Sequence, residues 1–181
     1  MKILFVNACV RQQSRTLIMA RELLSNLQGE INELYLSSLK LEGLDENRII
    51  SRLTNPDEQK LARDFAMADI IVIAAPMWDL SFPAILKLYI ENISISGVTF
   101  KYTENGIKGL CKAKKLYYVS TSGGTFYPEF GFNYIKTLAN MMFGINDVVK
   151  FSAEGLDIWG NEPEKILENA LIDIENHTKK E

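Results

Sequence analysis

Apolar runs of strand length alternate along this chain with segments of helical periodicity. The apolar runs that predict strands cover residues 2–7, 31–36, 69–75, 115–120 and 147–153. Between and after them, the spacing of apolar residues and the Pro-containing start signals predict helices at 15–28, 55–67, 84–95, 129–143 and 162–178. Such alternation is typical of βαβ units, in which helices connect parallel strands and cover both faces of the sheet.

The alternation predicts an α/β fold. A single domain, residues 1–181, is expected because no linker, repeat or low-complexity segment divides the chain. Five strands in a chain of this size match the flavodoxin-like doubly wound five-stranded parallel sheet, order 2-1-3-4-5, with helices on both faces. Periodicity predicts the fold class but does not by itself give the strand order. Two segments carry weaker patterns: a short turn or helix is expected near 45–51, and the glycine-punctuated residues 96–113 are expected to be irregular.

The charge and hydropathy pattern argues against several classes of function. The formal net charge is −3 and the basic residues are scattered, which indicates no nucleic-acid surface. No apolar run approaches the roughly 18 residues that a membrane-spanning helix needs, so no membrane association is expected. Cys9 and Cys111 have neither a CxxC motif nor the spacing of metal ligands, which favours a reduced, cytoplasmic protein.

The chain has a single histidine, His177, in what the sequence predicts to be a frayed helix end near the charged carboxyl terminus. A Ser-His-Asp or Cys-His catalytic arrangement is therefore not expected, and neither is a histidine-rich metal site. If the chain is an enzyme, we expect its chemistry to belong to a cofactor and not to a catalytic side chain.

The loop between the third predicted strand and the following helix, residues 74–83, is unusually apolar. It lies at the carboxyl end of a buried strand, where open α/β sheets bind their ligands. Its large apolar residues are Pro76, Met77, Trp78, Leu80 and Phe82. Together they predict a wall for a flat, apolar ligand, although Trp78 or Phe82 taken singly could instead cap the core.

Two further loops are expected beside this wall, because the carboxyl ends of neighbouring parallel strands share one edge of the sheet. The loop after the first strand places Ser14 and Thr16 at a helix start, next to Arg15 and near Arg11. Hydroxyls, free N–H groups, positive charge and a helix amino terminus suit a phosphate. The turn after the fourth strand, residues 121–124, has the sequence TSGG, whose glycines let backbone N–H groups approach a ligand.

Each of these two signals, taken alone, could be an ordinary helix N-cap or a plain tight turn. Taken with the apolar wall, they predict a site for a ligand with a phosphate tail and a flat ring with polar edges. Flavin mononucleotide (FMN) is such a ligand, and its own redox chemistry would explain why the chain needs no catalytic His or Cys.

Three segments resemble one known family. The run IVIAAPMWDLSFPAILKLYIENI, residues 71–93, resembles that family's flavin loop and the helix after it, and GVTFKYTENGIKGL, residues 97–110, is similar to a distinctive family segment almost letter for letter. The TSGG turn stands where the family has Ser-Arg-Gly-Gly, and weaker matches continue at 143–147 and 153–155. The family is that of the FMN-dependent NADH:quinone oxidoreductases, or azoreductases, of flavodoxin-like fold, and the resemblance covers most of the chain.

The resemblance implies which residues hold the cofactor. The residues that would hold the FMN phosphate are Cys9, Ser14, Arg15 and Thr16. Those that would line the isoalloxazine ring are Pro76, Met77, Trp78, Asp79 and Leu80. Those that would meet its pyrimidine edge are Thr121, Ser122, Gly123 and Gly124.

The resemblance also implies how such a protein works. Members are homodimers with each active site at the subunit interface. NADH or NADPH reduces FMN at N5, the nicotinamide product leaves, and a quinone or azo compound then takes the hydride from the same face, in a ping-pong mechanism that needs no metal and no catalytic side chain. Phe126 and Tyr127, directly after the TSGG turn, are expected to stack on the substrate or, equally, to pack in the core or interface.

Three features depart from the family's pattern. Cys9 stands where the family has Ser, in a phosphate loop about one residue shorter. Asp79 replaces a usual Asn, and because a carboxylate is negatively charged and only accepts hydrogen bonds, we expect it to lower the reduction potential of the flavin. Residues 37–55 and 125–132 look trimmed, which affects loops that help to shape the substrate pocket.

Two other functions are compatible with the sequence. One is a flavin-binding electron carrier without a substrate of its own, although a net charge of −3 is small for flavodoxin itself. The other is a non-enzymatic flavodoxin-like module that has lost FMN and serves as a sensor or partner-binding protein. Cys9 and the absence of glycine from the first loop are the features that favour this second alternative.

Overall fold

The computed structural model describes residues 1–125 and 129–179. In chain order the strands are β1 (Lys2–Asn7), β2 (Glu30–Tyr35), β3 (Ile70–Ala74), β4 (Phe100–Thr103), β5 (Gly106–Gly109), β6 (Lys115–Thr121) and β7 (Asp147–Ala153). The helices are α1 (Arg15–Asn26), α2 (Glu46–Ser51), α3 (Lys60–Met67), α4 (Ala84–Ile93), α5 (Phe130–Leu138) and α6 (Pro163–Thr178). None of these described helices has both the length and the apolar character that crossing a membrane would require.

The main sheet has the strand order β2-β1-β3-β6-β7, and every neighbouring pair is parallel. Because β4 and β5 belong to a separate hairpin, this is the 2-1-3-4-5 order, and the predicted flavodoxin-like doubly wound fold is confirmed. The central strand β3 sends Ile71 and Ile73 into the core on one face and Val72 and Ala74 into the core on the other. A sheet with two apolar faces must be covered on both, which is what the helices do.

The helix predicted at 55–67 differs from the expectation at its start. Asn55 does act as a local cap, since its Oδ1 accepts the N–H of Asp57 at 3.0 Å. The residues that follow form turns, however, and the regular helix α3 begins at Lys60 and ends at Met67. The Asn55 side chain closes a local turn by accepting the N–H of Asp57. Side-chain turns of this kind are an alternative to helical backbone bonding, and the regular helix begins only after the turn. The short helix expected near 45–51 is present as α2.

Residues 96–113 contain a regular hairpin, so the prediction that this segment is irregular is wrong. Strands β4 and β5 pair antiparallel across a two-residue turn, Glu104-Asn105. β5 lies against the π-helical turn that follows α5, Ala139–Phe143. A Cβ atom on Gly109 would come within 2.2 Å of the last carbonyl carbon of that turn. A glycine is therefore required at this close approach between two backbones.

The carboxyl-terminal helix is more firmly packed than the sequence indicates. α6 runs to Thr178, and the ring of His177 lies edge-on to that of Phe151, with 5.3 Å between their centroids. The prediction of a frayed helix end at His177 is therefore wrong, because this polar ring packs against an aromatic side chain of β7. The histidine is on the side of the sheet covered by α1 and α6, and it is not among the residues that line the cleft described below.

Candidate functional site

An open cleft of about 420 Å³ lies at the carboxyl edge of the sheet, among the loops that follow β1, β3, β6 and β7. The residues that line it are Val10, Arg11, Gln13, Ser14, Arg15, Pro76, Met77, Trp78, Thr121, Ser122, Gly123, Leu156 and Asp157. The three loops singled out in the sequence therefore meet at one site, and a fourth loop joins them.

Backbone hydrogen bonds beyond the strand ends hold these loops side by side. The N–H of Ala8 donates to the carbonyl of Ala74 at 2.9 Å, which joins the β1 loop to the end of β3. The N–H of Met77 donates to the carbonyl of Thr121 at 2.9 Å, which joins the β3 loop to the end of β6. The hydrogen-bond ladder of the sheet thus continues into the cleft and sets the spacing between its walls.

The β1 loop ends in the amino-terminal turn of α1. Ser14 is the N-cap of this helix, and its Oγ accepts the N–H of Leu17 at 3.3 Å. The ordinary N-cap role is therefore present, but Ser14 and Arg15 also line the cleft. The positive end of the α1 dipole is consequently at the cleft, where it favours an anion.

Two of the residues expected to hold a phosphate are not among those that line the cleft. Thr16 is fully buried, and its Oγ1 shares a 2.6 Å hydrogen bond with Oγ1 of Thr121, which ties the first turn of α1 to the end of β6. Cys9 is 1 % exposed, and its Sγ lies 3.8 Å from the carbonyl oxygen of Ala74. Burial raises the pKa of the Cys9 thiol to about 11, against a smaller lowering by Ser14. This thiol is therefore protonated near pH 7 and a poor nucleophile.

The β3 loop makes a tight hairpin at its centre. Trp78 and Ser81 exchange two backbone hydrogen bonds, of 3.1 and 2.8 Å. The two residues between them, Asp79 and Leu80, have φ angles of 50° and 65°. Positive φ at both central positions is the type I′ geometry that two-residue hairpins favour. A leucine in this conformation costs about 1–2 kcal/mol, so the loop stores local strain beside the cleft.

This hairpin divides the apolar side chains of the β3 loop. Those that line the cleft, and so form the predicted wall, are Pro76, Met77 and Trp78. Asp79 and Leu80 form an exposed tip outside the cleft lining, so their contact with a flavin ring remains a prediction from the resemblance. Phe82 packs against the core beneath the loop, which is the alternative considered for it above.

The β6 loop is bound tightly to the β7 loop. Ser122 is buried, and its Oγ donates to the carbonyl of Gly124 at 2.6 Å. The carbonyls of Ser122 and Gly123 accept the N–H groups of Leu156 and Asp157, at 3.1 and 2.9 Å. Gly124 is not one of the cleft-lining residues, whereas the three residues before it are. The TSGG segment is therefore a braced wall of the cleft and more than a plain tight turn.

The β7 loop also contributes to the cleft, and its residues were not among those predicted from the sequence. Leu156 and Asp157 line the cleft, and Asp157 Oδ1 lies 3.0 Å from Nη1 of Arg15, in an ion pair that reaches from the β7 loop to the β1 loop. A signal was available, because residues 154–157 directly follow the fifth predicted strand and must share its sheet edge with the other loops. The other lining residues not singled out from the sequence are Val10 and Gln13.

A partly buried ion-pair cluster lies beside the β6 loop. Nζ of Lys150 is 2.6 Å from a carboxylate oxygen of Glu129 and 2.8 Å from one of Glu154. Burial works to lower the pKa of Lys150, but the hydrogen bonds to the two carboxylates outweigh it and raise the pKa. Because the folded pKa is raised, this stabilisation is complete at neutral pH and is lost only as pH rises through that alkaline value. The cluster ties the start of α5 to the end of β7.

The remaining expectations concern substrate contacts and metals. Phe126 and Tyr127 fall outside the described residues, so their contact with substrate stays a prediction. Within residues 1–125 and 129–179, no group of His, Cys, Asp and Glu side chains is arranged to hold a metal ion. What the cleft does offer is positive charge and a hydroxyl at the amino terminus of α1, an apolar wall on the β3 loop, and a polar backbone wall on the β6 loop.

Comparison with known proteins agrees with this architecture. A family model described as a flavodoxin-like fold matches residues 1–178. The chain belongs to this flavodoxin-like family. One curated relative comes from Caldicellulosiruptor saccharolyticus and is named FMN-dependent NADH:quinone oxidoreductase. It is 37% identical over 199 aligned positions, which cover 99% of this chain and 98% of the relative. The alignment is longer than the 181 residues here, so the relative contains insertions that this chain lacks.

Solved structures share the fold of the flavodoxin-like chain over its whole length. An azoreductase from Bacillus anthracis str. Sterne matches with a TM-score of 0.88 at 24% identity, covering 100% of both chains. An FMN-dependent NADH-azoreductase from Bacillus anthracis str. Ames Ancestor, solved in complex with FMN, matches with a TM-score of 0.85 at 22% identity, covering 99% of both chains. At these identities the likeness establishes the common fold.

Proposed function

We propose that this protein is an FMN-dependent oxidoreductase that transfers a hydride from NADH or NADPH, by way of bound FMN, to quinones or azo compounds. The observation that carries the proposal is the cleft itself. It joins a cationic, hydroxyl-bearing helix start to an apolar aromatic wall at the carboxyl edge of a doubly wound sheet. The names of the curated relative and of the two solved structures support the same reaction.

The groups along the cleft suit the successive parts of FMN, from its phosphate to its ring. Ser14, Arg15 and Arg11 would hold the phosphate at the amino terminus of α1. Met77 and Trp78 would support the ring, because aromatic and thioether side chains pack well against a flat π-system. Cys9 and Thr16 are buried and would not contact the cofactor. They would instead help to fix the shape of the β1 loop and of the helix start that follows it.

At the third wall, the backbone of Thr121, Ser122 and Gly123 would meet the polar edge of the ring. The bracing of this wall by the β7 loop keeps these backbone groups in place without further ordering.

Bound FMN would supply the two-electron chemistry that the side chains of this cleft lack. The described side chains that line the cleft include no His and no thiol, and the nearby Cys9 thiol is buried and protonated. The protein's own contribution would be to hold the phosphate, to fix the ring against the β3 loop and to exclude water from one of its faces.

The shape of the site supports a ping-pong order for the proposed reaction. Because the four loops would enclose a ligand from one side, NAD(P)H and the acceptor would have to use the same open face in turn. We therefore expect initial rates, measured with NADH varied at several fixed quinone concentrations, to give parallel double-reciprocal lines. Converging lines would instead mean that both substrates bind together, and no turnover with either nicotinamide would favour the electron-carrier alternative.

We also propose that the protein is a homodimer of single-domain subunits. Large apolar side chains are exposed on segments that line the cleft or adjoin it in the chain, among them Trp159, which is 98% exposed and lies two residues after the cleft-lining Asp157. The others in this group are Trp78, Leu80, Phe130 and Ile158. Apolar side chains exposed as a group mark interaction surfaces, and a subunit interface here would complete the open side of the cleft.

Two unpaired cysteines, Cys9 and Cys111, support a reducing, cytoplasmic location.

A further inference from the structure

We propose that the carboxylate of Asp157 competes with the phosphate of the ligand for Arg15, and that it thereby sets how strongly the cleft prefers FMN over an uncharged flavin. The inference rests on the proposed function, since it concerns the affinity of the same cleft. Asp157 lies on the β7 loop, and no role was assigned to it from the sequence.

The carboxylate of Asp157 lies between Arg15 and Gly123. Its Oδ1 is 3.0 Å from Nη1 of Arg15. Its Oδ2 lies over Gly123, where a Cβ atom added to the glycine would be only 2.6 Å away. The Asp157 side chain thus stands between the phosphate end of the cleft and the wall formed by the β6 loop.

The backbone around Asp157 holds it there independently of Arg15. Its N–H donates to the carbonyl of Gly123 at 2.9 Å. The loop that carries it is closed by Asn161, whose Nδ2 donates to the carbonyl of Gly155 at 2.7 Å. A ligand that takes Arg15 from Asp157 therefore leaves an unpaired negative charge on a loop whose backbone stays beside the site.

The charges of the cleft determine how the Arg15–Asp157 ion pair affects the binding of a phosphate. Among the described lining residues, the cations are Arg11 and Arg15, and the acid is Asp157. A phosphate at the start of α1 that takes Nη1 of Arg15 breaks the Arg15–Asp157 pair and then lies close to the released carboxylate. Two anions close together repel each other, and the phosphate and the carboxylate also compete for the one cation that they share, Arg15. An uncharged flavin that leaves the pair intact avoids both costs.

The experiment replaces Asp157 with Asn and measures dissociation constants for FMN and riboflavin by flavin fluorescence. Asn keeps the shape of the side chain and the backbone hydrogen bonds while removing the charge. Riboflavin has the same ring as FMN but lacks the phosphate. We expect FMN to bind about two- to fivefold more tightly to Asp157→Asn, the scale of one partly exposed charge interaction, and riboflavin affinity to be unchanged.

Asp147→Asn is the matched control. It removes the same charge from another ion pair, the 3.2 Å pair with Lys115, at the opposite end of β7. FMN affinity should be unchanged in this variant, so a gain confined to Asp157→Asn separates a local effect from a change in net charge. Thermal unfolding of both variants checks that the fold is intact.

The possible outcomes are distinct. If the wild-type protein binds FMN but Asp157→Asn leaves its preference for FMN over riboflavin unchanged, the competition is disproved and the proposed function stands. If Asp157→Asn binds FMN more weakly, the carboxylate orients Arg15 for the ligand, which is the reverse of the proposal. If neither flavin binds wild type or variants, the proposed function fails, and this inference fails with it.

Discussion

Replacing Arg15 with Gln should weaken FMN binding by about 10- to 100-fold, the value expected for the loss of a charge-assisted hydrogen bond to a phosphate. Arg15 is the first residue of α1 and lines the cleft beside the N-cap Ser14. It thus adds a full charge at the point where the helix dipole already favours an anion. Its loss also leaves Asp157 without this partner at the mouth of the site, so both effects act in the same direction.

The measurement is again a pair of fluorescence titrations, with FMN and with riboflavin. The loss should be confined to FMN, because riboflavin has no phosphate to bind. Arg63→Gln is the matched control, since Arg63 is an exposed arginine on α3 that pairs with Gln59 outside the cleft. Equal losses for both flavins would mean that the β1 loop has collapsed. Unchanged FMN affinity would mean that the phosphate is held elsewhere.

Replacing Gly109 with Ala should destabilise the fold by about 3 kcal/mol or more, the upper range for overpacking a rigid site. The added Cβ would lie 2.2 Å from the carbonyl carbon of Phe143 and 2.3 Å from the amide nitrogen of Gly144. Both are backbone atoms, so no side-chain rotation can relieve the clash. The β4–β5 hairpin would have to move away from the π-helical turn, which carries the buried Phe143 and precedes β7.

Urea unfolding checks this prediction, with Gly43→Ala as the control. A Cβ atom added to Gly43 would have no neighbour within 4 Å, and the backbone there has no positive φ. Alanine at this position should therefore change the unfolding free energy by less than about 0.5 kcal/mol. A Gly109→Ala protein as stable as the wild type would contradict the close backbone contact. The result would also decide whether Gly109, within the family-like segment 97–110, is needed for this close backbone packing.

Periodicity predicted the sheet well because the central strands are buried on both faces. In β3, four consecutive apolar residues enter the two cores alternately, so burial requires an apolar residue at every position. The hairpin at 100–109 was missed for a related reason. Its strands are only four residues long and mostly exposed, and they pack against a turn that is about thirty residues away in the chain.

The site was predicted in part, with the same division between local and long-range causes. Pro76, Met77 and Trp78 were identified from the loop's composition. The hairpin at Asp79 and Leu80 was not, because it lacks the Asn-Gly or Asp-Gly signal that usually marks type I′ turns. The burial of Cys9 and the pairing of Arg15 with Asp157 depend on how distant loops meet, and no local pattern encodes that.

The visible spectrum of the FMN-loaded protein under anaerobic conditions tests the central claim most directly. We expect a yellow protein that bleaches on addition of NADH or NADPH and regains its colour when a quinone is added. A colourless protein that takes up no added FMN would contradict the assignment of the cleft as a flavin site. A yellow protein that neither nicotinamide can bleach would contradict the oxidoreductase reaction while leaving the flavin site intact.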